Sequence, residues 1–143
     1  MNWIDRVLMK LFNFFVIRNV EADPYMCRYK LVRLPFFKVY LHHILRSDED
    51  DELHDHPWSF VSVILWSGYI EVLPGDVVRR MRAWDVVRHP ARDAHRLILD
   101  RPAWTLVFVT GRKRTWGFHA KQGWMSYTDF LDRKYGKGNW VSY

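Results

Sequence analysis

Short segments of alternating hydrophobic and polar residues fill the middle of the chain, and turns rich in glycine and proline separate them. The pattern predicts strands over Phe36–Leu45, Phe60–Trp66, Tyr69–Leu73, Val77–Ala83, Trp104–Thr110 and Trp116–His119. Pro74-Gly75-Asp76 and Gly111–Arg114 are typical turn sequences between such strands. Residues 19–36 contain proline breakers and are predicted to be irregular. Many short strands with almost no internal helix indicate an all-β barrel or sandwich.

The two ends of the chain have helical patterns instead. Residues 2–18 begin with Asn2, a good helix cap, and Asp5 follows where an acidic side chain suits the first helical turn. An apolar stripe at helical spacing consists of Ile4, Leu8, Leu11 and Phe15. We expect this amphipathic helix to pack on the β-structure or at a dimer interface, with a membrane surface as the alternative. At the other end, Ser126 and Asp129 have capping-box spacing, which predicts a short helix ending near Gly136.

Composition limits the class of protein. A chain of 143 residues with 49% hydrophobic and 17% aromatic residues can form one globular domain. Within it we expect the N-terminal helix over residues 1–20, a β-barrel over 21–125, and a C-terminal helix and tail over 126–143. The lone cysteine, Cys27, excludes an internal disulfide and fits the reducing cytoplasm, where we expect the protein to reside.

The charge pattern concerns partners more than fold. A formal net charge of +6 makes anionic partners plausible. No nucleic-acid-binding motif accompanies the basic clusters, so we expect no specific nucleic-acid partner. No apolar run is long enough for a membrane span. The acidic run Ser47–Glu52 predicts a solvated loop; its alternatives are to attract cations or to pair with the arginine-rich segments.

Two histidines, His54 and His56, are the first chemical feature of note. Alternate residues of an extended segment point to the same side, so both imidazoles can approach one metal ion. Downstream, Trp84–Leu97 is predicted to form a second strand–turn–strand unit, with Pro90 in its turn and a third histidine, His95, at its exit.

These residues resemble the two motifs of the cupin superfamily. His54, His56 and Gly68 match the first motif in register, and Pro90 and His95 match the second. The resemblance covers roughly residues 38–119 and implies a double-stranded β-helix, also called a jelly-roll barrel. The departures from the motifs are Val61 in place of the glutamate, Trp84 and Arg92 in place of two glycines, and Leu99 in place of the asparagine.

The resemblance implies a mononuclear site at His54, His56 and His95 that holds a divalent transition metal: Fe, Zn, Ni or Cu. Without the motif's glutamate, the site is similar to that of the three-histidine thiol dioxygenases, which bind dioxygen at Fe(II). A metal-dependent isomerase is the other enzyme class that the resemblance implies. Because three neutral ligands leave the ion at +2, a small anionic substrate is expected. The candidate catalytic residues are Arg82, which can hold an anion, and Tyr69 and Trp116, which can line the pocket. The alternative is a non-catalytic module that binds a small ligand or dimerises, and a homodimer is expected.

Overall fold

A computed structural model of the chain describes residues 1–18 and 23–139. These residues form helix α1 (Trp3–Leu11), strands β1 (Asn13–Arg18), β2 (Pro24–Arg33), β3 (Phe37–Ile44), β4 (Leu53–His54), β5 (Phe60–Trp66), β6 (Gly68–Leu73), β7 (Val77–Arg82), β8 (Val86–His89), β9 (Arg96–Ile98), β10 (Ala103–Thr110), β11 (Gly117–Ala120) and β12 (Gly123–Ser126), and helix α2 (Tyr127–Tyr135). Neither helix is long and apolar enough to cross a membrane.

Three antiparallel sheets make up the β-structure. The largest has six strands in the order β1-β2-β3-β10-β5-β8. Two smaller sheets have the orders β12-β11-β4 and β7-β6-β9. One residue pair, His54 and His95, joins the smaller sheets through two backbone hydrogen bonds of 2.9 and 3.0 Å. The second layer of the protein is therefore held together at two of the three histidines that the sequence singles out.

The main core lies between the two layers and draws on eight strands. Its buried side chains are Met26, Ile44, Ile64, Tyr69, Met81, Val87, Leu97 and Ala103. A second cluster lies on the outer face of the six-stranded sheet, where Leu8 and Met9 of α1 pack on Cys27, Tyr29 and Trp104. An all-β fold with a helix near each end was predicted from the sequence and is confirmed.

The N-terminal helix is shorter than predicted. It ends at Leu11, and the following aromatic and β-branched residues form β1, which pairs with β2 instead of extending the helix. The capping box of Asn2 and Asp5 is present. The predicted apolar stripe is correct at Leu8, which packs on the second cluster, and wrong at Leu11, which is 68% exposed, while Asp5 is fully buried. Docking of α1 therefore depends on a buried carboxylate as well as on apolar packing.

The prediction of irregular structure over residues 19–36 is also wrong. Residues 24–33 form β2, and residues 19–22 lie outside the described part of the chain. Pro24 is tolerated because it is the first residue of the strand. The hydrophobic pattern did not predict this strand because its inner side is not uniformly apolar. Arg28 and Lys30 lie on the same side as Met26, which faces the main core.

The other predicted strands are present with boundaries within two residues of those expected. Strand β12, which forms a hairpin with β11, was not predicted. Helix α2 begins after Ser126, whose side chain accepts a hydrogen bond from the Asp129 amide at 3.2 Å, and Gly136 is its C-cap. Residues 140–143 of the predicted tail lie outside the described residues.

Candidate metal centre

Backbone pairing brings the three predicted metal ligands together. His54 lies on β4, where it pairs with Phe118 of β11 on one side and with His95 on the other. Two residues later, the amide of His56 donates to the carbonyl of Ala91 at 3.1 Å. Both segments that carry histidines are therefore fixed to one another by main-chain hydrogen bonds before any side chain is considered.

The three imidazole rings form a nearly equilateral triangle. Ring centroids are 5.1 Å apart for His54 and His56, 5.1 Å for His54 and His95, and 4.9 Å for His56 and His95. Each ring offers one nitrogen, and these nitrogens all lie within 4.8 Å of one another. Three such donors leave coordination positions open for water or a ligand, which is the arrangement of catalytic rather than structural metal sites.

The protonation states of two of these rings favour metal binding. Burial lowers the pKa of His56 well below its usual range, and the nearby His95, His54 and His89 lower it further. Burial also lowers the pKa of His95, to about 4, although its hydrogen bond to Glu71 opposes the shift. Both rings are therefore neutral at pH 7, as metal ligation requires. The buried Nδ1 of His56 has no hydrogen-bond partner among the described residues, so a polar atom of this ring is left unsatisfied within the cluster.

Asp55, between the two histidines in sequence, points to the opposite side and fixes the segment. Its buried carboxylate accepts hydrogen bonds from the Gly117 amide at 2.8 Å and from Nε1 of Trp124 at 2.9 Å. Arg114 lies 2.6 Å from it in an ion pair. These contacts bind the His-Asp-His segment to β11 and β12, so alternation turns both imidazoles towards the interior.

Glu71 is the site residue that sequence reasoning missed. It is fully buried on β6, and its Oε1 accepts a 2.5 Å hydrogen bond from Nδ1 of His95. Arg79, its partner on β7, donates to Oε2 through two nitrogens at 2.9 and 2.5 Å. Because Nδ1 of His95 donates to the carboxylate, Nε2 keeps the lone pair that a metal would use. A carboxylate in this position orients a ligating imidazole and raises its basicity.

His89 approaches the same carboxylate. Its Nε2 lies 2.7 Å from Oε1 of Glu71, in a direction that does not form a good hydrogen bond, and its ring lies 4.4 Å from that of His95. Burial on its own would raise the pKa of Glu71, but the contacts with His89, His95 and Arg79 outweigh burial and lower the pKa strongly. Glu71 is therefore an anion at neutral pH.

Glu71, His89 and His95 form a second group in which three ligand atoms lie within 4.8 Å of one another. Here the 2.5 Å contact between His95 and Glu71 is a hydrogen bond, whereas Nε2 of His89 has no hydrogen-bond partner among the described residues. Glu71 also has Arg79 as a counter-ion. The carboxylate of this second group is thus already engaged by His95 and Arg79, whereas no described carboxylate engages the ring of His56.

The side chain at the position of the motif's glutamate is apolar. Val61 was assigned to that position from the sequence, but it lies on the other side of β5 from the buried Ser62 and Ile64. Phe60, one residue earlier, faces the cluster, with ring centroids 4.8 Å from His56 and 4.9 Å from His89. No carboxylate therefore enters the triad from β5.

The three candidate catalytic residues have different positions. Trp116 borders the cluster, with its ring centroid 6.3 Å from that of His54, and it stacks on Tyr127. Tyr69 is buried in the main core on the same side of β6 as Glu71. Arg82 is exposed on the opposite side of β7 from the buried Met81, in an open groove with Arg80 and Arg101. The arginine of β7 that contacts the cluster is Arg79, because odd and even positions face opposite ways.

Part of the acidic run is packed against the site instead of being solvated. Asp48 accepts hydrogen bonds from the Tyr25 hydroxyl and, at 2.6 Å, from the Leu97 amide. Its Oδ2 lies 3.7 Å from Nδ1 of His54. Further along, Asp51 pairs with Arg96 at 2.9 Å, as one of the sequence alternatives proposed.

Neither a protein-family model nor a curated protein matches the sequence, so relatives are found only through the structure. A cupin-2 domain protein from Rhodospirillum rubrum is 14% identical, with a TM-score of 0.63 and 78% coverage of each chain. An RmlC-like cupin from Shewanella frigidimarina is also 14% identical, with a TM-score of 0.56, covering 73% of this chain and 88% of its own. The chain has the cupin fold.

A third similar structure is the polyketide cyclase RemF from Streptomyces resistomycificus. It is 12% identical, with a TM-score of 0.64, and the match covers 86% of this chain and 87% of that one. At such identities the likeness concerns the fold alone, and the chemistry of this chain has to be argued from the residues themselves.

Proposed function

We propose that this cupin binds one divalent transition metal at His54, His56 and His95 and acts on a small anionic molecule there. Fe(II) dioxygenase-like chemistry is the reaction class we propose, with Zn, Ni and Cu as the other metals that imidazole ligands suit. The observation that carries the proposal is the convergence of three imidazoles, two of them held neutral, with one buried ring nitrogen lacking a partner.

The residues around the triad have separate roles in this proposal. Glu71 is a positioning residue, since it holds His95 through Nδ1 and is itself held by Arg79. Asp55 positions His54 and His56 from the opposite side of their segment. Phe60 shields the rings from water. When bound, the metal would supply a Lewis acid and a binding position for an anionic group or dioxygen.

Elemental analysis of protein purified without chelator tests the proposal. We expect about one transition-metal ion per chain, as for a mononuclear site. His54→Ala and His95→Ala should each reduce the metal content at least about tenfold, because a site with two imidazoles holds the ion weakly. His43→Gln is the control, since that imidazole contacts Asp5 on the outer side of the six-stranded sheet, away from the triad. A wild-type chain without metal, or a metal content that the triad variants leave unchanged, would refute the proposal.

A second candidate function is a non-catalytic module that binds a small ligand. The observation in its favour is Phe60, whose apolar ring occupies the side from which the motif's glutamate would approach. The two functions differ in turnover: the enzyme consumes dioxygen or substrate when loaded with Fe(II), and the module binds without consuming either. The homodimer and the cytoplasmic location stay predictions, and light scattering of the purified chain checks the first.

A further inference from the structure

Arg28 lies on the inner side of the six-stranded sheet. It alternates along β2 with Cys27 and Tyr29, which face α1, and shares the side of Met26, which belongs to the main core. Its partner across the sheet is His42 of β3. A half-buried cation therefore projects into the same interior as the metal centre.

The only hydrogen bond that Arg28 makes to a described side chain leaves its charge uncompensated. Its Nε donates to Nε2 of His42 at 2.9 Å, so His42 accepts there and is the neutral tautomer. Burial and the nearby arginine both hold the pKa of His42 well below its usual range. Burial also lowers the pKa of Arg28, to about 10, which leaves the guanidinium charged at pH 7.

Aromatic rings of described residues surround this charge. Its guanidinium carbon lies 5.3 Å from the ring centre of Phe15, 5.1 Å from that of Tyr40 and 6.0 Å from that of Trp58. No described carboxylate forms an ion pair with it. By contrast, Arg79 and Arg114 each pair with a fully buried carboxylate. A half-buried cation with no anion beside it is costly unless a ligand provides one.

The aromatic residues also connect this cation to the triad. Trp58 follows His56 by two residues and packs in one cluster with Tyr40 and Phe60. Phe60 in turn contacts the ring of His56. A small molecule bound at the triad can therefore extend towards Arg28.

We propose that Arg28, oriented by His42, binds the carboxylate of the small molecule that occupies the metal centre. The inference rests on the proposed function and defines its substrate class. With Nε engaged by His42, the terminal nitrogens of the guanidinium remain to donate two parallel hydrogen bonds to a carboxylate. One cation matches a single negative charge better than the two charges of a phosphate, and the aromatic surroundings favour an organic acid.

Calorimetric titration of the full chain with acetate and benzoate, and with acetamide and benzamide as neutral counterparts, tests this. The acids should bind the wild-type chain at least about tenfold more tightly than the amides, as expected for hydrogen bonds between charged groups. Arg28→Met should remove that preference. Arg28→Lys, which keeps the charge and the packing but not the paired N–H groups, should retain part of it. Arg96→Met, a surface arginine paired with Asp51, is the matched control.

The titrations are done with and without added Zn(II), and metal content is measured in each variant. Arg28→Met should hold as much metal as wild type, because Arg28 is not a ligand, so loss of metal and loss of acid binding are separate results. Equal affinity for acids and amides, or unchanged acid binding in both Arg28 variants, would overturn the inference whether or not metal is bound. Preference for inorganic phosphate over acetate by about tenfold would overturn the carboxylate assignment. Should Arg28→Met fail to fold, Arg28→Lys decides.

Discussion

Two buried carboxylates of this protein each accept a hydrogen bond from Nδ1 of a histidine, yet their surroundings differ. On α1, Asp5 accepts from His43 at 2.9 Å, from the Tyr29 hydroxyl at 2.5 Å and from the backbone amide of Asn2 at 2.8 Å. Between the sheets, Glu71 accepts from His95 at 2.5 Å and from Arg79. Both carboxylates are fully buried, and both have lowered pKa values.

The difference lies on the far side of each imidazole. His43 stacks face to face on Trp104, with ring centroids 4.1 Å apart, so its surroundings are a packed core. His95 instead faces two further imidazoles, one with a buried nitrogen that lacks a partner. A histidine–carboxylate pair alone is therefore not evidence of a site. What distinguishes the inner pair is the set of nitrogens that remains unsatisfied around it.

Glu71→Gln should have the largest effect and should act on the metal. Removing the charge weakens the hold on His95 and leaves Arg79 without its counter-ion, so we expect metal affinity to fall about 10–100-fold. Competition with a chromophoric chelator for Zn(II) measures this. Asp5→Asn, the equivalent change at the outer pair, should leave metal affinity unchanged. Equal losses of metal affinity in both variants would contradict the assignment of the metal centre to the inner pair alone.

Asp5→Asn should instead affect stability. The side-chain amide of asparagine has one acceptor oxygen where the carboxylate has two, so it accepts less well from Tyr29 and His43 together. We therefore expect the free energy of unfolding to fall by about 1–3 kcal/mol. Urea denaturation monitored by fluorescence measures the loss. A variant as stable as wild type would show that α1 docks by its apolar contacts with Cys27 and Trp104 alone.

The outer pair also predicts how stability depends on pH. Burial by itself would raise the pKa of Asp5, but hydrogen bonds from Tyr29, Asn2 and His43 lower it below the usual 3.8. The folded state thus binds this proton less readily than the unfolded one. Its contribution to stability is complete above about pH 3.8 and is lost as the pH falls towards the lowered value. Asp5→Asn should flatten the pH dependence of urea denaturation in this window, and an unchanged slope would argue against the assignment.

Arg96→Ala should have the smallest effect. Arg96 lies next to His95 in sequence but on the opposite side of the strand, where it pairs with Asp51, whose side chain is 96% exposed. Such surface pairs contribute less than about 1 kcal/mol. We expect metal content and urea midpoint to match those of wild type. A loss of metal would mean that a change on the outer side of β9 disturbs the metal centre on its inner side.

Sequence patterns predicted the histidine triad better than its supporting residues. The spacing of His54 and His56 and the Pro90 turn before His95 depend on local backbone geometry, which a sequence carries directly. Glu71 was missed because its role comes from pairing with β7 and β9, which local pattern does not define. One feature could have indicated it: an isolated acid at the centre of the apolar strand Gly68–Leu73 is unusual unless paired.

Local sequence pattern also failed to indicate the two arginines near the site, Arg79 and Arg28. Arg82 was predicted to hold the anion, whereas Arg79 is the arginine of β7 at the cluster. Alternation places the two on opposite sides of the strand, but local pattern does not show which side faces inward. Arg28 was not considered, because β2 was taken to be irregular. A charged residue on the inner side of a strand weakens the hydrophobic pattern from which that strand is predicted.

Anomalous scattering from crystals grown with a transition metal tests the central claim most directly. We predict one strong peak among the rings of His54, His56 and His95, about 2.0–2.2 Å from a nitrogen of each. A peak between Glu71 and His89, or crystals in which the three imidazoles hold no metal, would contradict it.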